Sequence, residues 1–346
     1  DLIHLNEKLA EKYINAFDEK QWIVSDITDK PYKKSPPAPF ITSTLQQAGI
    51  GKLRTSAQRI MSIAQKLYEN GYITYMRTDS INLSNEALTA ARKEIKKLYG
   101  EDYLPEKAIT YKSKSKNAQE AHEAIRPAGS KFIHPNELKS KLDEKEYLLY
   151  NLIWSRTIAC QMKSANLLTT QVKITNNDFT FMTKGKTVVF DGYLKVYQDS
   201  SKDKDNVIIP QLEKNQTINF INTEAKEHFT KPTPRYTEAS LVKELEGLGI
   251  GRPSTYASII ATIIRRGYVT RKKGTLIPTF TGFAVVKFLE KYFEQLINLE
   301  FTADMENDLD AISRADNNHM QFLKLFYNGS KDQQGLKQLL NQEFDK

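Results

Sequence analysis

Cysteine and long apolar runs are what this chain of 346 residues most clearly lacks. Its one cysteine, Cys160, excludes an internal disulfide and a zinc site made of several cysteines. Cys160 lies in an apolar helical run, which favours a buried structural thiol, and a reducing cytoplasm is the default compartment. No apolar run approaches the roughly 18 residues of a membrane-spanning helix. The sequence therefore predicts a cytoplasmic protein without a membrane partner.

A nucleotide-binding glycine loop followed by Lys and Ser or Thr is also missing. The nearest approach to a paired-acid metal site is Asp308 with Asp310. Met305, Leu309 and Ile312 place both acids on an ordinary amphipathic helix, which favours a solvated acidic face. We therefore predict that this chain binds no metal by itself.

The chain begins Asp1-Leu-Ile-His4, which is neither a signal peptide nor a natural initiation, so we expect a fragment of a longer protein. With 40% hydrophobic and 27% charged residues, the composition suits a globular protein of two or three domains. The formal net charge is +8 and the pI is about 9.1. This excess favours a polyanionic partner through counterion release, although many basic proteins bind no nucleic acid.

Apolar residues that recur every three or four positions predict a series of helices. They cover residues 6–17, 42–47, 54–70, 84–99, 118–126, 144–162 and 237–246, one helix after Ser254, and most of the chain beyond residue 275. Strands are predicted at 170–175, 179–183, 187–190 and 217–221, with a turn around Gly185 and a charged loop at 199–205. We interpret the stretch 167–222 as an antiparallel sheet, an arm or hinge that a strand starting at Trp22 joins.

A short pattern occurs twice along the chain. Gly49-Ile-Gly-Lys52 corresponds to Gly249-Ile-Gly-Arg252, and both are predicted to be turns. Gly71-Tyr-Ile-Thr74 corresponds to Gly267-Tyr-Val-Thr270. Each pair brackets an amphipathic helix that follows a shorter helix. This is the order of a winged helix-turn-helix, whose second helix usually faces nucleic acid. The glycine pairs could instead be unrelated turns, and winged helices also serve as protein-binding modules.

The first copy continues into an unusual segment that contains Tyr75 and Arg77. In a strand, Ile73, Tyr75 and Arg77 share one face, so that a phenol and a guanidinium lie side by side. A free phenol is a poor nucleophile at neutral pH unless a cation stabilises the phenolate, and Arg77 can do this while also binding a phosphate. Because a phenol is also a good leaving group, the pair suits break-and-rejoin chemistry on a phosphodiester. A plain short strand ending in a turn is the alternative.

A second candidate is His122, in the predicted helix that Pro127 ends. A lone histidine is more often a surface residue or a satisfied core residue. Glu120, Glu123 and Arg126 give it a charged surrounding, which modestly favours contact with phosphate or relay of a proton.

The segment Gly71-Tyr-Ile-Thr-Tyr-Met-Arg-Thr-Asp-Ser80 resembles the active-site signature of the type IA DNA topoisomerase family. The sequence of this segment, with Met76, is closer to the bacterial topoisomerase I group than to topoisomerase III or reverse gyrase. Further blocks that resemble the family in the same order are Pro39–Gln47, Gln119–Pro127, Arg235 with Glu238–Leu245, Gly249–Ile260 and Phe301–Glu306. The resemblance thus covers nearly the whole chain, from about residue 33 to residue 310.

The resemblance implies an α+β fold, mostly α, that forms part of a multidomain torus. It would contain two winged-helix (CAP-like) modules and an antiparallel β arch. Residues 1–34 and 162–231 would form the β-rich arch or hinge, and residues 35–161 the tyrosine-bearing gate domain. Residues 232–346 would form a helical domain that binds single-stranded DNA.

The resemblance also implies a set of site residues. Tyr75 would attack a phosphodiester of single-stranded DNA, become joined to the 5′ phosphate and leave a free 3′ hydroxyl. Arg77 would hold the scissile phosphate and His122 would assist it, and strand passage would then relax negatively supercoiled DNA without ATP. The residues expected to contact DNA are Thr78, Asp79, Glu120, Arg126, Arg235, Arg252, Ser254 and Thr255.

The family's Toprim domain, whose carboxylates bind Mg²⁺, has no counterpart in this sequence, and neither do the family's zinc modules. We therefore expect Mg²⁺ to serve the parent enzyme from outside this fragment, which alone should not relax supercoiled DNA. The expected partner is single-stranded or underwound DNA, and the expected state is a monomer near the bacterial nucleoid. The alternative is a double winged-helix DNA-binding or regulatory protein in which Tyr75 is structural.

Overall fold

The structure is a computed structural model that describes residues 6–17, 21–112, 122–198, 209–330 and 334–341. Two compact units make up the chain. We call the unit formed by Asp1–Pro37, Arg92–Ala108 and Ile158–Thr233 the sheet unit. The tyrosine unit consists of Ala38–Ala91, Ile109–Thr157 and Pro234–Lys346.

The sheet unit is built on three antiparallel strands in the order β1-β2-β3. They are β1 (Ile23–Lys34), β2 (Ala165–Asn176) and β3 (Phe179–Phe190). β1 runs along β2 from Ile23 opposite Thr175 to Lys34 opposite Ala165, so the predicted addition of the N-terminal strand to the sheet is confirmed. A short helix, α1 (Glu7–Ile14), precedes β1 and is capped by the side chain of Asn6.

Two strand predictions in this unit are wrong. The predicted strands 179–183 and 187–190 form one continuous strand, because Gly185 keeps its place in the ladder opposite Thr170 instead of making a turn. The predicted strand 217–221 is reduced to a single bridge between Thr217 and Ile23. Ile221 is almost fully exposed, so an extension of that pairing would not gain stability from burial of its side chain. The predicted loop at 199–205 lies outside the described residues.

Aromatic rings fill one side of the sheet unit. Trp22 stacks on Phe220 with 5.2 Å between ring centroids, and Phe17 meets Phe179 and Phe181 edge to face. Such pairs add to the free energy gained by burying the rings. Cys160 is buried, in agreement with its interpretation as a structural thiol.

The tyrosine unit is mainly helical. Its own helices are α2 (Thr42–Leu53), α3 (Ala57–Glu69), α5 (Pro135–Leu138), α7 (Glu238–Leu248), α8 (Tyr256–Arg265), α9 (Phe280–Tyr292), α10 (Glu294–Ile297), α11 (Leu299–Ser313), α12 (His319–Asn328) and α13 (Leu336–Leu340). Two helices contribute residues to both units, α4 (Asn85–Tyr99) and α6 (Glu144–Ala159). The hairpin of β4 (Val269–Lys272) and β5 (Thr275–Pro278) completes it. No helix in the described part of the chain is long and apolar enough to cross a membrane.

The two copies of the repeated pattern end alike. After α3, Gly71 has φ +72°, and the Tyr72 amide donates to the Leu67 carbonyl. After α8, Gly267 has φ +69°, and the Tyr268 amide donates to the Ile263 carbonyl. Both are Schellman ends, in which glycine adopts a left-handed conformation that other residues resist.

The two copies begin differently. The predicted turn Gly49–Lys52 is wrong, since these residues belong to α2. A Cβ on Gly49 would lie 2.9 Å from Ile60 Cδ1, so this glycine permits close approach of α2 and α3. In the second copy, Gly249 and Gly251 both have positive φ and do form a turn. The copies are therefore related without being equivalent, and their assignment as winged helices stays a prediction.

The two copies pack on each other within the tyrosine unit. Helix α2 packs against α7, and α3 packs against α8. Val242, Tyr256 and Ile260 are buried at the centre of the second copy. The mixed helix and strand content agrees with the predicted fold class. The division into gate, arch and DNA-binding domains stays a prediction. The structure groups most residues of the first and last of these into one unit, but it assigns Arg92–Ala108 of the predicted gate to the sheet unit.

Candidate active site

The strand predicted around Tyr75 is wrong, because the backbone bends at Thr74, Met76 and Arg77. Ile73 makes a single bridge to Pro127, and residues 74–80 belong to no strand. Ile73 is buried whereas Tyr75 is 41% exposed, so the two do not share one face. From Tyr75 onward the side chains alternate, with Tyr75 and Arg77 exposed and Met76 and Thr78 buried. The phenol and the guanidinium are therefore both open to solvent, and their placement side by side stays a prediction.

Thr74 anchors the start of this segment. Its amide donates to the Arg126 carbonyl at 2.9 Å, and its hydroxyl donates to the Ala124 carbonyl at 2.8 Å. The same hydroxyl accepts the Arg126 amide at 3.0 Å. Tyr75 thus follows directly after a residue that is hydrogen-bonded to the segment leading back to His122.

Thr42 anchors the other end. It is the first residue of α2 and is fully buried. Its hydroxyl donates to the Met76 carbonyl at 2.8 Å and accepts the Thr78 amide at 2.9 Å. The Thr42 amide in turn donates to the Thr78 carbonyl at 2.9 Å. The backbone is therefore held on both sides of Arg77.

The polar groups of Tyr75 and Arg77 are open to a ligand. The ring of Tyr75 meets that of Tyr68 edge to face, with 5.3 Å between centroids. Its hydroxyl makes no hydrogen bond to a described residue, and Arg77 makes neither a hydrogen bond nor an ion pair to one. An exposed guanidinium with its donors unused is suited to bind phosphate.

Thr78 and Asp79 lead away from the tyrosine toward the second copy. Thr78 is buried and its hydroxyl accepts the Ser80 amide at 3.1 Å. Asp79 acts electrostatically on Tyr256. Burial raises the pKa of Tyr256 to about 12, and the negative charges of Glu246 and Asp79 add to the rise. Asp79 therefore lies toward the start of α8.

His122 is exposed at the edge of the described residues, and the helix predicted around it is wrong where it can be seen. Residues 122–126 are extended, because the Ala124 amide bonds to Asn82 and the Ile125 amide bonds to Phe40. Glu120 and the start of the predicted helix lie outside the described residues. The structure brings His122 onto the segment that Thr74 binds, two residues before Ala124.

The charges next to His122 pair with each other. Arg126 is 6% exposed, and its guanidinium bonds to Glu123 at 2.7 Å and to the carbonyls of Pro127 and Gly129. Glu123 also accepts the Ser84 amide at 2.6 Å. Burial by itself raises the pKa of Glu123, but these hydrogen bonds outweigh it and hold the pKa below the usual 4.5. Arg126 thus holds the local backbone together.

Arg252 is engaged in a similar way. Its guanidinium bonds to Asp310 and to the carbonyls of Gly249 and Gly251, the last at 2.8 Å. Asp310 is therefore the ion-pair partner of Arg252. Thr255 accepts the Arg252 amide at 2.7 Å and stabilises the turn before α8.

Arg235 and Ser254 are the more available of the remaining predicted contacts. Arg235 is exposed and makes no hydrogen bond or ion pair to another described residue. Ser254 lies in the turn before α8 and is exposed. Of the arginines predicted to contact DNA outside the Tyr75 segment, only Arg235 has a guanidinium without a partner among the residues described.

With this geometry in place, comparison with known proteins identifies the family. A family profile described as DNA topoisomerase matches residues 3–324. The chain belongs to this DNA topoisomerase family. It is 48% identical to DNA topoisomerase 1 of Streptomyces coelicolor, over 94% of this chain and 35% of that protein. It is 45% identical to DNA topoisomerase 1 of Mycobacterium tuberculosis, over 95% of this chain and 37% of that protein.

A solved structure agrees with these relatives. The structure of full-length topoisomerase I from Thermotoga maritima superposes with a TM-score of 0.81 and 35% identity, over 95% of this chain and 55% of that one. This topoisomerase chain thus spans little more than a third of the curated relatives and about half of the solved structure.

The described part of this topoisomerase chain does not fit a magnesium site. Among the residues that the structure describes, no three His, Cys, Asp or Glu side chains come together in a way that could hold a metal ion. Glu123 and Glu246 instead accept hydrogen bonds from Arg126 and Ser43.

Sequence reasoning missed Thr42 and Thr74 as parts of the candidate site. Both lie in matched blocks, but nothing in the local pattern shows that their hydroxyls bond to backbone far away in the sequence. Glu238 was missed as a buried link in the same unit for the same reason. The long-range hydrogen bonds of these two threonine hydroxyls can be recognised only in the folded structure.

Proposed function

We propose that this chain provides the nucleophile of a type IA DNA topoisomerase, which cuts and rejoins one DNA strand through Tyr75. The observation that supports this most is the exposure of Tyr75 and Arg77 from a segment whose backbone is held at both ends. A tyrosine with a purely structural role would usually be buried or would hydrogen-bond through its hydroxyl.

The proposed reaction is a transfer between two phosphate esters. The Tyr75 oxygen attacks the phosphorus, a bond forms between them, and the bond from phosphorus to the 3′ oxygen breaks. The phenol gives up a proton, and the departing 3′ oxygen gains one. The reverse attack by the 3′ hydroxyl rejoins the strand, because the phenolate is a good leaving group.

Arg77 would bind the nonbridging oxygens of the scissile phosphate and stabilise the charge that develops in the transition state. His122 would contact the same phosphate or relay a proton, from the segment to which Thr74 is bonded. Thr78 and Asp79 would guide the strand away from Tyr75. Arg126 would act mainly by shaping the backbone around His122, since its guanidinium is already bonded to Glu123.

The strand would reach Tyr75 along the second copy. Arg235 would contact the DNA backbone directly, since its guanidinium has no partner among the described residues. Ser254 and Thr255 would contribute hydroxyls at the turn before α8, and Arg252 would support that turn. Glu120, in the matched block before His122, is proposed as a further contact by resemblance alone.

Magnesium is expected to serve the complete enzyme through carboxylates outside the described residues, so none of the steps above passes through it. The complete enzyme would relax negatively supercoiled DNA by passing one strand through the break. The arch, gate and single-strand-binding domains, with the two winged-helix modules, are proposed by resemblance. So are a monomeric state and a place near the bacterial nucleoid.

The test uses the full-length gene product and a single-stranded oligonucleotide labelled at its 3′ end. Because the proposed bond joins Tyr75 to the 5′ phosphate of the downstream fragment, denatured enzyme should retain the label. Tyr75→Phe should abolish this adduct. Tyr68→Phe is the matched control, since its ring touches that of Tyr75, and it should leave the adduct in place.

An adduct that persists in Tyr75→Phe would exclude Tyr75 as the nucleophile. Binding of the oligonucleotide without any adduct, under conditions that allow cleavage, would instead favour a DNA-binding protein with a structural Tyr75. The chain by itself should leave a negatively supercoiled plasmid unrelaxed in the presence of Mg²⁺.

A further inference from the structure

We propose that Thr42 is a positioning residue for the cleavage reaction, and that its hydroxyl sets where Arg77 lies relative to Tyr75. The proposal rests on the proposed function, because the reaction that it names is the cleavage by Tyr75 proposed there. The structural arrangement behind it can be tested separately from that function.

Thr42 makes three hydrogen bonds to the backbone on either side of Arg77. Its hydroxyl donates to the Met76 carbonyl at 2.8 Å, with the Thr78 carbonyl 3.1 Å away as a second acceptor. The same oxygen accepts the Thr78 amide at 2.9 Å. The Thr42 amide closes a ring of hydrogen bonds by donating to the Thr78 carbonyl at 2.9 Å. Both peptide groups that flank Arg77 are therefore bonded to one residue.

The bonds must come from a hydroxyl, because one atom serves as donor and acceptor at once. Thr42 is fully buried, so water cannot replace the hydroxyl if it is removed. The branched side chain of threonine also has few rotamers, which holds the oxygen in place. Serine would keep the chemistry with less rigidity, and valine would keep the shape without the bonds.

The hydrogen bonds of Thr42 and Thr74 leave the backbone from Tyr75 to Arg77 little freedom to move. Thr74 holds the backbone just before Tyr75 by bonds to Ala124 and Arg126, and Thr42 holds it just after Met76. Only Tyr75 and Met76 lie between the two anchors. The buried side chain of Met76 restrains that interval further. The backbone that carries the phenol and the guanidinium is thus held from two sides by hydroxyl groups.

A hydroxyl that acts through Arg77 should affect the chemical step more than binding of DNA. In the full-length protein, Thr42→Val should reduce the rate of adduct formation at saturating oligonucleotide by about 100-fold, the order expected for a displacement of about 1 Å in a reacting group. Its dissociation constant for the oligonucleotide should change less than about threefold. Thr42→Ser should recover most of the rate.

Thr44→Val is the matched control. Thr44 is also near the start of α2, and its hydroxyl accepts the Ile41 amide at 3.0 Å and donates to the Ile41 carbonyl, so the variant removes a helix cap without touching the Tyr75 segment. It should keep the adduct rate within about threefold of the parent. Equal loss in both valine variants would mean that α2 stability, and not positioning, controls the rate, and would overturn the proposal.

Hydrogen exchange tests the arrangement without reference to activity. In this chain, the Thr78 amide should exchange slowly and should become exposed to exchange in Thr42→Val, but not in Thr42→Ser or Thr44→Val. Unchanged exchange in Thr42→Val would overturn the proposal whatever the enzyme does. A normal exchange result with no adduct even in the parent protein would instead count against the proposed function. A Thr42→Ser variant as slow as Thr42→Val would show that the hydroxyl alone does not position the segment, and would overturn the proposal.

Discussion

The carboxylate of Glu238 accepts a hydrogen bond from the backbone amide of Ala57, 2.7 Å away, although 181 positions separate them in the sequence. Glu238 begins α7 and is 5% exposed, while Ala57 begins α3. The other carboxylate oxygen bonds to Arg271 on β4. A negative charge at the N-terminus of α3 is favourable, since the amides there lack partners within the helix. One buried carboxylate thus connects both copies of the repeat and the hairpin.

Replacement of Glu238 should therefore weaken the packing between the two copies. We expect Glu238→Gln to lower the free energy of unfolding by about 1–3 kcal/mol, the usual loss for a hydrogen bond to a charged group. Denaturant unfolding of the chain measures this. Glu244→Gln, an exposed acid on the same helix, should change it by less than about 0.5 kcal/mol. An equal change in the free energy of unfolding for the two variants would contradict the role given to Glu238.

Glu123 should make the stability of the chain depend on pH. Its pKa in the folded state lies below the usual 4.5, because hydrogen bonds from Arg126 and Ser84 outweigh the effect of burial. A group with a lowered pKa stabilises the fold above its unfolded pKa and loses this effect as pH falls through the folded pKa. Glu123→Gln should therefore be less stable than the parent at pH 7, by about 1–3 kcal/mol.

The difference between the parent and Glu123→Gln should shrink as the pH falls below about 4.5. Urea unfolding at a series of pH values gives both curves. Glu86→Gln, an exposed acid on α4, serves as the control and should follow the parent at every pH. A difference in unfolding free energy that stays constant down to pH 3 would show that the charge of Glu123 does not stabilise the fold.

Two glycines in helices should respond to alanine in opposite directions. A Cβ on Gly282, in α9, would lie 2.3 Å from the Tyr268 carbonyl oxygen, whereas a Cβ on Gly247, in α7, would meet nothing within 4 Å. Gly282→Ala should destabilise the chain by about 1–3 kcal/mol through overpacking. Gly247→Ala should stabilise it by up to about 1 kcal/mol, because alanine favours helix. Thermal unfolding distinguishes the two, and a stabilised Gly282→Ala would refute the close approach.

Arg235 and Arg252 should separate binding from stability. Arg235→Ala should weaken binding of this chain to oligothymidine and reduce the salt dependence of binding by about one unit, without a change in unfolding. Arg252→Ala should destabilise the chain by about 1–3 kcal/mol, since it leaves Asp310 and two turn carbonyls without their donor. Fluorescence anisotropy and denaturant unfolding measure the two effects. An unchanged salt dependence in Arg235→Ala would exclude it as a phosphate contact.

Helix predictions succeeded where the apolar period was strong. Helix α3 was expected at 54–70 and occurs at Ala57–Glu69, and α4 was expected at 84–99 and occurs at Asn85–Tyr99. Predictions failed where the same residue is compatible with two kinds of secondary structure. Gly49 and Gly185 indicated turns, yet one lies in a helix against Ile60 and the other in a strand ladder. The sequence near His122 indicated a helix, but distant backbone bonds make residues 122–126 extended.

The sequence by itself determined the family, the order of the motifs and the placement of Tyr75 two residues before Arg77, because these depend on which residues follow one another. Tertiary structure decided which side chains are available for chemistry. Arg126 and Arg252 carry the same charge as Arg77, but folding surrounds them with acids and carbonyls and leaves Arg77 exposed. It also brings the Thr42 hydroxyl to the backbone beside Arg77, a contact between residues that are more than 30 positions apart. Local sequence cannot specify such contacts, because the packing of the whole unit selects the partners of each buried polar group.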